Sequence, residues 1–286
     1  MRRANIIQKD TEEIETVEDL TGVFESLATT QIAKIKSKVD LSKQFFNLLW
    51  GKYSAIRVDP NSRITHRERI SNNKDVYVVI SAETGLSGDI DQRLIEAVLA
   101  DYDPKTTDII VLGSHGAQQL TQRGVHFVKF FKVPVSDSYI DVSPVIDAIE
   151  PYRQAKVYYE EYVSIGEQDI RSINLIQSIK ALSEESDYNA DIITERDTIF
   201  EPSLEEIADI METAMMTLVF SQVILESSLA QDASRFNAMA VAKKRATDLV
   251  GLYNLEYHRA KRSETDRRMR EVMISLKRKK KAGSHA

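Results

Sequence analysis

The chain has 286 residues, 42% hydrophobic and 29% charged, a composition typical of a soluble protein with one modest domain and an extended element. The absence of cysteine excludes disulfides, thiolate zinc sites and a cysteine nucleophile. The net charge of −6 is uneven, because residues 258–281 carry +8 and the rest carries −14. Since no apolar run looks long enough to cross a bilayer and no signal peptide is recognised, we expect a cytoplasmic protein.

Residues 1–58 are predicted to form one long helix. Apolar residues recur there at steps of three and four, the period of a helical stripe. We expect the helix to end at Asp59-Pro60, since the residue before proline avoids the helical conformation and the following Asn61 and Ser62 favour turns. The stripe consists of Ile14, Val17, Leu20, Phe24, Leu27, Ala28, Ile35, Phe45, Leu49, Tyr53 and Ile56.

Residues 59–198 are predicted to form an α/β head. A short apolar run at 75–81 is typical of a strand buried on both faces, and it leads through a glycine turn at 82–88 into a helix capped by Asp89. Alternation of strands and helices then predicts parallel pairing with right-handed crossovers. The further elements are strands at 108–112 and 125–133, helices at 117–122 and 142–149, an edge hairpin of 156–163 with 170–176, and a loop at 180–197.

Residues 199–281 are predicted to form a second, longer helix, followed by a short tail at 282–286. Pro202 and Ser203 make a start signal, and acidic Glu205 and Glu206 suit the positive first turn. Such a helix would reach on the order of 100 Å, and a periodic pattern of this length indicates a coiled coil.

The two terminal helices are therefore predicted to form a long antiparallel two-helix coiled coil with the Rossmann-like α/β head between them. Neither apolar stripe has another surface large enough to cover it. We expect Phe24, Leu27, Ile35 and Phe45 to face apolar residues of the helix from Leu204 to Tyr257.

The glycine turns leave open a second class, a nucleotide-binding enzyme of the doubly wound type. Gly85 and Gly88 follow a strand and open a helix whose amides could hold phosphate. The Gly-x-Gly-x-x-Gly and P-loop spacings are missing, however, so these glycines are interpreted as residues that pass through positive φ.

Other candidate groups favour structural interpretations. Ser114-His115 lacks the spacing of a nucleophile elbow, and the histidines lack the spacing of a metal site. The acidic pairs Glu12-Glu13, Glu160-Glu161 and Glu184-Glu185 are interpreted as solvated faces.

The basic segment from Arg259 to Lys281 leaves open a third class, a coiled-coil protein that binds nucleic acid. It holds no interleaved aromatic residue for base stacking beyond Tyr257. A cationic plug in an acidic protein cavity explains the segment equally well.

Three blocks in the C-terminal helix carry more specific information. They are 200–207 (Phe-Glu-Pro-Ser-Leu-Glu-Glu-Ile), Glu226 with 233–239 (Ala-Ser-Arg-Phe-Asn-Ala-Met), and 257–260 (Tyr-His-Arg-Ala). In residues and spacing they resemble the gamma subunit of rotary F-type ATP synthases, and the strand and turn at 78–88 are similar to that family's Gly-Leu-x-Gly turn. Departures from the family pattern are Gln231 for Glu, Phe236 for Met, His258 for Asn and Lys261-Arg262 for Arg-Gln.

The resemblance implies a non-catalytic central rotor shaft, which couples ion flow through a membrane ring to ATP synthesis or hydrolysis in a ring of alpha and beta subunits. The implied partners are those subunits, an epsilon-type subunit and the membrane c-type ring, without nucleic acid or direct membrane insertion. The implied location is peripheral, at the cytoplasmic face of the membrane, and no cofactor, metal or catalytic residue is expected. Candidate ring contacts are Arg235, Met239, Tyr257, Arg259, Lys261, Arg262, Arg267 and Arg268, with Gly85 and Gly88 in the head turn.

Overall fold

The computed structural model describes residues 4–55, 74–133, 141–174 and 204–282. The elements in chain order are α1 (Ala4–Ala55), β1 (Asp75–Ile80), α2 (Ile90–Asp101), β2 (Thr107–Leu112), α3 (Ser114–Gln122), β3 (Lys129–Phe131), α4 (Ser143–Ile149), β4 (Ala155–Ser164), β5 (Glu167–Asn174) and α5 (Leu204–Ala282). They fall into two compact units, one within Met1–Ser26 and Ala238–Ala286 and one within Leu27–Asn237. The predicted helix ends at 56–62 and 199–203, the loop at 180–197 and Glu184-Glu185 lie outside the described residues, so the domain boundaries stay predictions.

In the first unit, α1 and α5 run antiparallel. The Ala4 N–H donates to Glu264 Oε1 at 3.4 Å near the start of α1. Further along α1, Glu25 Oε2 lies 3.3 Å from Lys243 Nζ, so residue numbers fall along α5 as they rise along α1. The predicted antiparallel pairing of the two terminal helices is therefore confirmed here.

Only part of the predicted α1 stripe packs: Ala28 and Tyr53 are buried as expected, but several larger apolar residues of the stripe are not. Leu27 and Phe45 are each 54% exposed and Phe24 is 37% exposed, so the prediction that they face α5 is wrong, and Ile35 is only partly buried. The buried positions instead follow a heptad spacing in which small or polar residues allow close helix approach, which apolarity alone does not reveal. They are Ala4, Ile7, Thr11, Thr21, Ala28, Val39, Phe46 and Tyr53.

The second unit contains the head, residues 74–174, built on a five-stranded sheet of order β3-β2-β1-β4-β5. The first four strands are parallel and β5 is antiparallel to β4. The predicted Rossmann-like arrangement and hairpin are confirmed. Of the two hairpin strands, β5 lies at an edge of the sheet and β4 is an inner strand.

Helices cover both faces of this sheet. On one face, α2 and α3 pack Leu94, Ile95 and Leu120 against Val79 and Ile109. On the other face, α4 is joined by α1 and α5, whose buried side chains complete the largest core of the chain. The contributions of α1 and α5 to that core are Phe46, Tyr53, Met215, Val219, Phe220, Val223 and Ile224.

In the head, β3 is shorter than predicted and α3 is longer than predicted. The third strand spans only Lys129–Phe131 instead of 125–133, because the Val125 N–H bonds to Leu120 O and closes the end of α3. The helix α3 begins at Ser114 instead of 117, because the turn before it needs only Gly113, whose φ is 98°.

The turn at 82–88 also differs in detail from its prediction. Gly88 has φ 71°, as expected of a glycine in a turn, but the other left-handed residue is Leu86 (φ 70°) and not Gly85. Asp89 occupies the position before α2, yet its side chain makes no capping hydrogen bond, so the prediction that it caps the helix is wrong.

Candidate functional site

The first candidate site is the crevice between β1 and β4. In doubly wound sheets a ligand binds at the carboxyl ends of the strands, where the connections diverge to opposite faces. Here β1 continues into α2 on one face, whereas β4 follows α4 on the other face. A nucleotide would therefore be expected beside Ser81, the residue after β1, and Glu160, which lies within β4 two residues beyond the last residue that pairs with β1.

This crevice is filled by the chain's own helix α5. Ser227 Oγ lies 3.2 Å from Glu160 Oε2 and 3.5 Å from Ile80 O, and Gln231 Nε2 donates to Ser227 Oγ at 3.1 Å. One turn further, Ser234 Oγ donates to Ser87 O at 2.6 Å. Side chains of α5 therefore occupy the crevice in which a doubly wound enzyme would bind its nucleotide, and this argues against the nucleotide-binding alternative.

The glycine turn is also held by α5. Arg235 Nη2 donates to Thr84 Oγ1 at 3.1 Å, and its Nη1 pairs with Asp232. Burial is the main cause that raises the pKa of Asp232, and the Arg235 charge opposes it. Asn237 Nδ2 donates to Ile165 O at 2.6 Å, in the β4–β5 turn. Arg235, a predicted ring contact, is thus engaged within the second unit.

Ser114 and His115 bind different carboxyl groups rather than each other. Ser114 Oγ donates to Glu83 Oε1 at 2.5 Å, and His115 Nδ1 lies 2.8 Å from Asp91 Oδ2. The partner of Ser114 is therefore the carboxylate of Glu83, and Ser114 and His115 do not form a serine–histidine pair.

The interpretation of Glu160-Glu161 as a solvated face is wrong. Glu160 is 0% exposed, and Glu161 pairs with Arg171 at 2.6 Å. Burial raises the pKa of Glu160 well above its usual range, with the nearby Asp91 adding to the effect. This buried group was not predicted, and its one signal in the sequence is an acidic residue directly after the apolar run 157–159 of β4.

The second candidate site is the part of α5 that carries the other predicted ring contacts. Met239 is buried and Tyr257 is partly buried against Ala4 and Ile7. Lys261 Nζ donates to Tyr257 OH at 3.3 Å and lies 5.3 Å from the ring centroid. The remaining candidates, Arg259, Arg262, Arg267 and Arg268, are exposed, and Arg267 pairs with Glu271 at 3.1 Å.

The last turns of α5 carry an uncovered apolar stripe. From Glu264 to Lys277 every described side chain is exposed. Met269, Val272, Met273 and Leu276 recur there at the spacing of one helical face. We call residues 259–277, with their cations and this stripe, the tip. The tip has the composition of a surface that contacts another protein.

Comparison with known proteins decides between the remaining classes. The ATP synthase family model matches residues 4–275. The ATP synthase gamma chain of Lachnoclostridium phytofermentans is 22% identical over 279 residues, which cover 93% of this chain and 96% of that protein. The chain belongs to the ATP synthase gamma family. The gamma chain of Staphylococcus aureus strain JH9 is 27% identical over 215 residues, covering 69% and 71% of the two chains.

Solved structures show the same fold as this gamma-family chain. A chain from the rotor of the Euglena gracilis mitochondrial ATP synthase has a TM-score of 0.66 at 14% identity, covering 91% of this chain and 98% of that one. A chain from the central stalk and c-ring of the Tetrahymena thermophila enzyme has a TM-score of 0.55 at 14% identity, covering 78% and 99%. The predicted family, fold class and central-stalk role are confirmed.

One expectation about the gamma-family chain needs correction. By length and composition, the segment Ile210–Lys277 of α5 could cross a membrane, with a hydropathy of 1.3 in its best window, of which 44% is buried. The expectation of no such run overlooked these residues, but core helices of soluble proteins pass the same test. Within the described ranges, no three His, Asp or Glu side chains are grouped to hold a metal.

Proposed function

We propose that this chain is the central rotor shaft of an F-type ATP synthase and performs no bond chemistry itself. The observation that carries the proposal is the tip, where an apolar stripe and several cations are exposed along one continuous helix. A bearing needs such a surface, since it must contact the surrounding ring without binding one subunit permanently. The occupied crevice between β1 and β4 supports the non-catalytic role.

The proposed partners are the alpha and beta subunits around the coiled coil, and an epsilon-type subunit and the c-type ring at the head. This arrangement would place the chain peripherally at the cytoplasmic face of the membrane, without insertion. We assign the exposed cations of the tip to carboxylates of the ring rather than to nucleic acid. Arg235 and Met239 would then act mainly by holding the shaft, because their side chains are largely buried in this chain.

The isolated chain is expected to hydrolyse no ATP. Mixed with alpha and beta subunits, it should give an ATPase complex that holds one copy of it, because a single shaft fits the centre of a ring. Phosphate release and native mass spectrometry measure the two results, and alpha and beta subunits alone are the control. Recovery of rings with normal activity in the absence of this chain would contradict the rotor role.

Removal of one tip cation is expected to have a small effect that depends on salt. Most single removals should weaken assembly by no more than about 1 kcal/mol, roughly fivefold in dissociation constant, because exposed ion pairs contribute little. Arg259→Ala is the expected exception with a larger loss, because Arg259 keeps the family's basic position near Tyr257. The loss should fade as salt rises, since exposed charges are screened. Lys105→Ala, an exposed cation of the head, is the matched control and should be silent.

A truncation after Leu276 removes Lys277, the last residue of the tip, together with the cations beyond it. ATPase rate and complex stability are compared for wild type, Arg259→Ala and the truncated chain across a salt series. If the truncation abolished assembly while Arg259→Ala was silent at every salt concentration, residues 277–286 and not the region of Tyr257 would be the main anchor.

A further inference from the structure

The buried carboxyl of Glu160 has an unusual set of neighbours. Its Oε2 accepts from Ser227, while its Oε1 is fully buried and has no donor among the described residues. Asp91, which is also fully buried, faces it from α2. A buried carboxylate with one oxygen unpaired beside a second carboxylate is costly, because both charges are desolvated and repel each other.

In the described ranges no lysine or arginine contacts either acid of this pair. The charged and titratable groups on the surrounding elements include Glu83 in the turn after β1, His115 on α3, Arg171 on β5, and Glu226, Asp232 and Arg235 on α5. Glu83 accepts from Ser114. Arg171 pairs with Glu161, and Asp232 pairs with Arg235. Glu226 lies near Tyr159. Only His115 approaches the site, and its Nδ1 lies on the far carboxyl, 2.8 Å from Asp91 Oδ2.

We propose that Glu160 holds a proton in the folded protein and donates it from Oε1 to the carboxylate of Asp91. This hydrogen bond removes one of the two buried negative charges and gives the unpaired oxygen a partner. Burial and the nearby Asp91 both raise the pKa of Glu160, and this agrees with the assignment.

The proton completes a closed chain of hydrogen bonds that fastens α5 to the head. Ser227 of α5 donates to Glu160, and Glu160 donates to Asp91. Asp91 Oδ2 accepts from Ser87 Oγ at 2.9 Å. Ser87 O in turn accepts from Ser234, which lies about two helical turns beyond Ser227 on α5. Loss of the proton would place two repelling carboxylates in the middle of this chain. We call this set of hydrogen bonds among Ser87, Asp91, Glu160, Ser227 and Ser234 the junction. Its contribution to stability should therefore decrease as pH rises.

The sign of the expected pH dependence follows from linkage. Because the folded state holds the proton more tightly, the stabilisation is fully present below the unfolded glutamate pKa, about 4.3, and is lost as pH rises toward the raised folded value. One proton changes the folding equilibrium constant by up to about tenfold per pH unit in that window. Glu160→Gln keeps a donor toward Asp91 and an acceptor for Ser227, so it should remove this part of the slope.

The test uses the full isolated chain, so its outcome does not depend on the proposed assembly. Urea unfolding is followed from about pH 5 to about pH 9 for wild type, Glu160→Gln and the matched control Glu161→Gln. We expect the control to keep the wild-type slope and Glu160→Gln to flatten it, gaining stability over wild type as pH rises. Parallel profiles for wild type and Glu160→Gln would overturn the proposal.

Infrared spectroscopy gives a second measurement that needs no stability comparison. A protonated carboxyl shows a C=O stretching band distinct from the bands of carboxylate and amide. We expect wild type and Glu161→Gln to show one such band at neutral pH, and Glu160→Gln to lack it. If Glu160→Gln does not fold, absence of the band in wild type at neutral pH still overturns the proposal.

Discussion

Replacement of Phe220 by alanine is expected to lower the free energy of unfolding by about 3–5 kcal/mol. Phe220 is 0% exposed and lies in the core where α5 covers one face of the sheet. The change deletes a buried aromatic ring and leaves a cavity that rigid neighbours such as Val78 and Ile149 fill only partly. Alanine is also the better helix former, so propensity cannot produce the loss.

Urea unfolding followed by far-UV circular dichroism measures this effect, provided that the slope with denaturant is unchanged. Ile210→Ala is the matched control, because Ile210 lies on the same helix and is 64% exposed. The control should change stability by no more than about 0.5 kcal/mol. Equal losses for the two variants would show that α5 is not a structural layer of the head.

The elements of this fold could be predicted because their signals are local. The strands at 75–80 and 107–112 are apolar runs bounded by polar residues, as buried parallel strands require. The long α1 and α5 follow from a helical period without interior proline. Their antiparallel pairing follows from their positions at the two ends of the sequence, with the head between them.

The sequence could not show which residues of α1 face α5, because adjacent apolar residues fit the same three- and four-residue period. Leu27 and Ala28 both fit a three- and four-residue pattern, as do Phe45 and Phe46, yet only the second of each pair is buried. Packing against α5 decides between them, and the smaller Ala28 permits closer approach. Leu27 and Phe45 therefore lie outside the contact between α1 and α5 and stay exposed.

The buried junction was missed because its partners are distant in sequence. Glu160 meets Ser227 67 residues later along the chain, and the cover that α5 provides cannot be read from β4 alone. Gln231, where the resembled family has glutamate, donates to Ser227 in this junction and lies near the buried Glu160. A third carboxylate there would add repulsion, so the amide suits this site.

The same close packing gives the second large prediction, at Gly113. This residue has φ 98°, and a Cβ built on it would lie 2.1 Å from Ser81 O. Its own N–H donates to Phe131 O at 3.0 Å, which ties the turn to β3. Gly113→Ala therefore combines a backbone conformation that other residues rarely adopt (φ 98°, ψ 134°), about 1–3 kcal/mol, with overpacking against backbone, about 1–3 kcal/mol.

Two other glycines separate the contributions to the loss at Gly113. Gly124 has φ 72° but open space around its Cβ position, so Gly124→Ala should cost only the conformational part, about 1–2 kcal/mol. Gly85 lacks both a positive φ and a close neighbour, so Gly85→Ala should be nearly neutral, within about 0.5 kcal/mol. The urea midpoint should therefore be highest for Gly85→Ala, lower for Gly124→Ala and lowest for Gly113→Ala. A loss at Gly113 no larger than at Gly124 would mean that the Ser81 backbone yields, and that the turn before α3 is not rigidly packed.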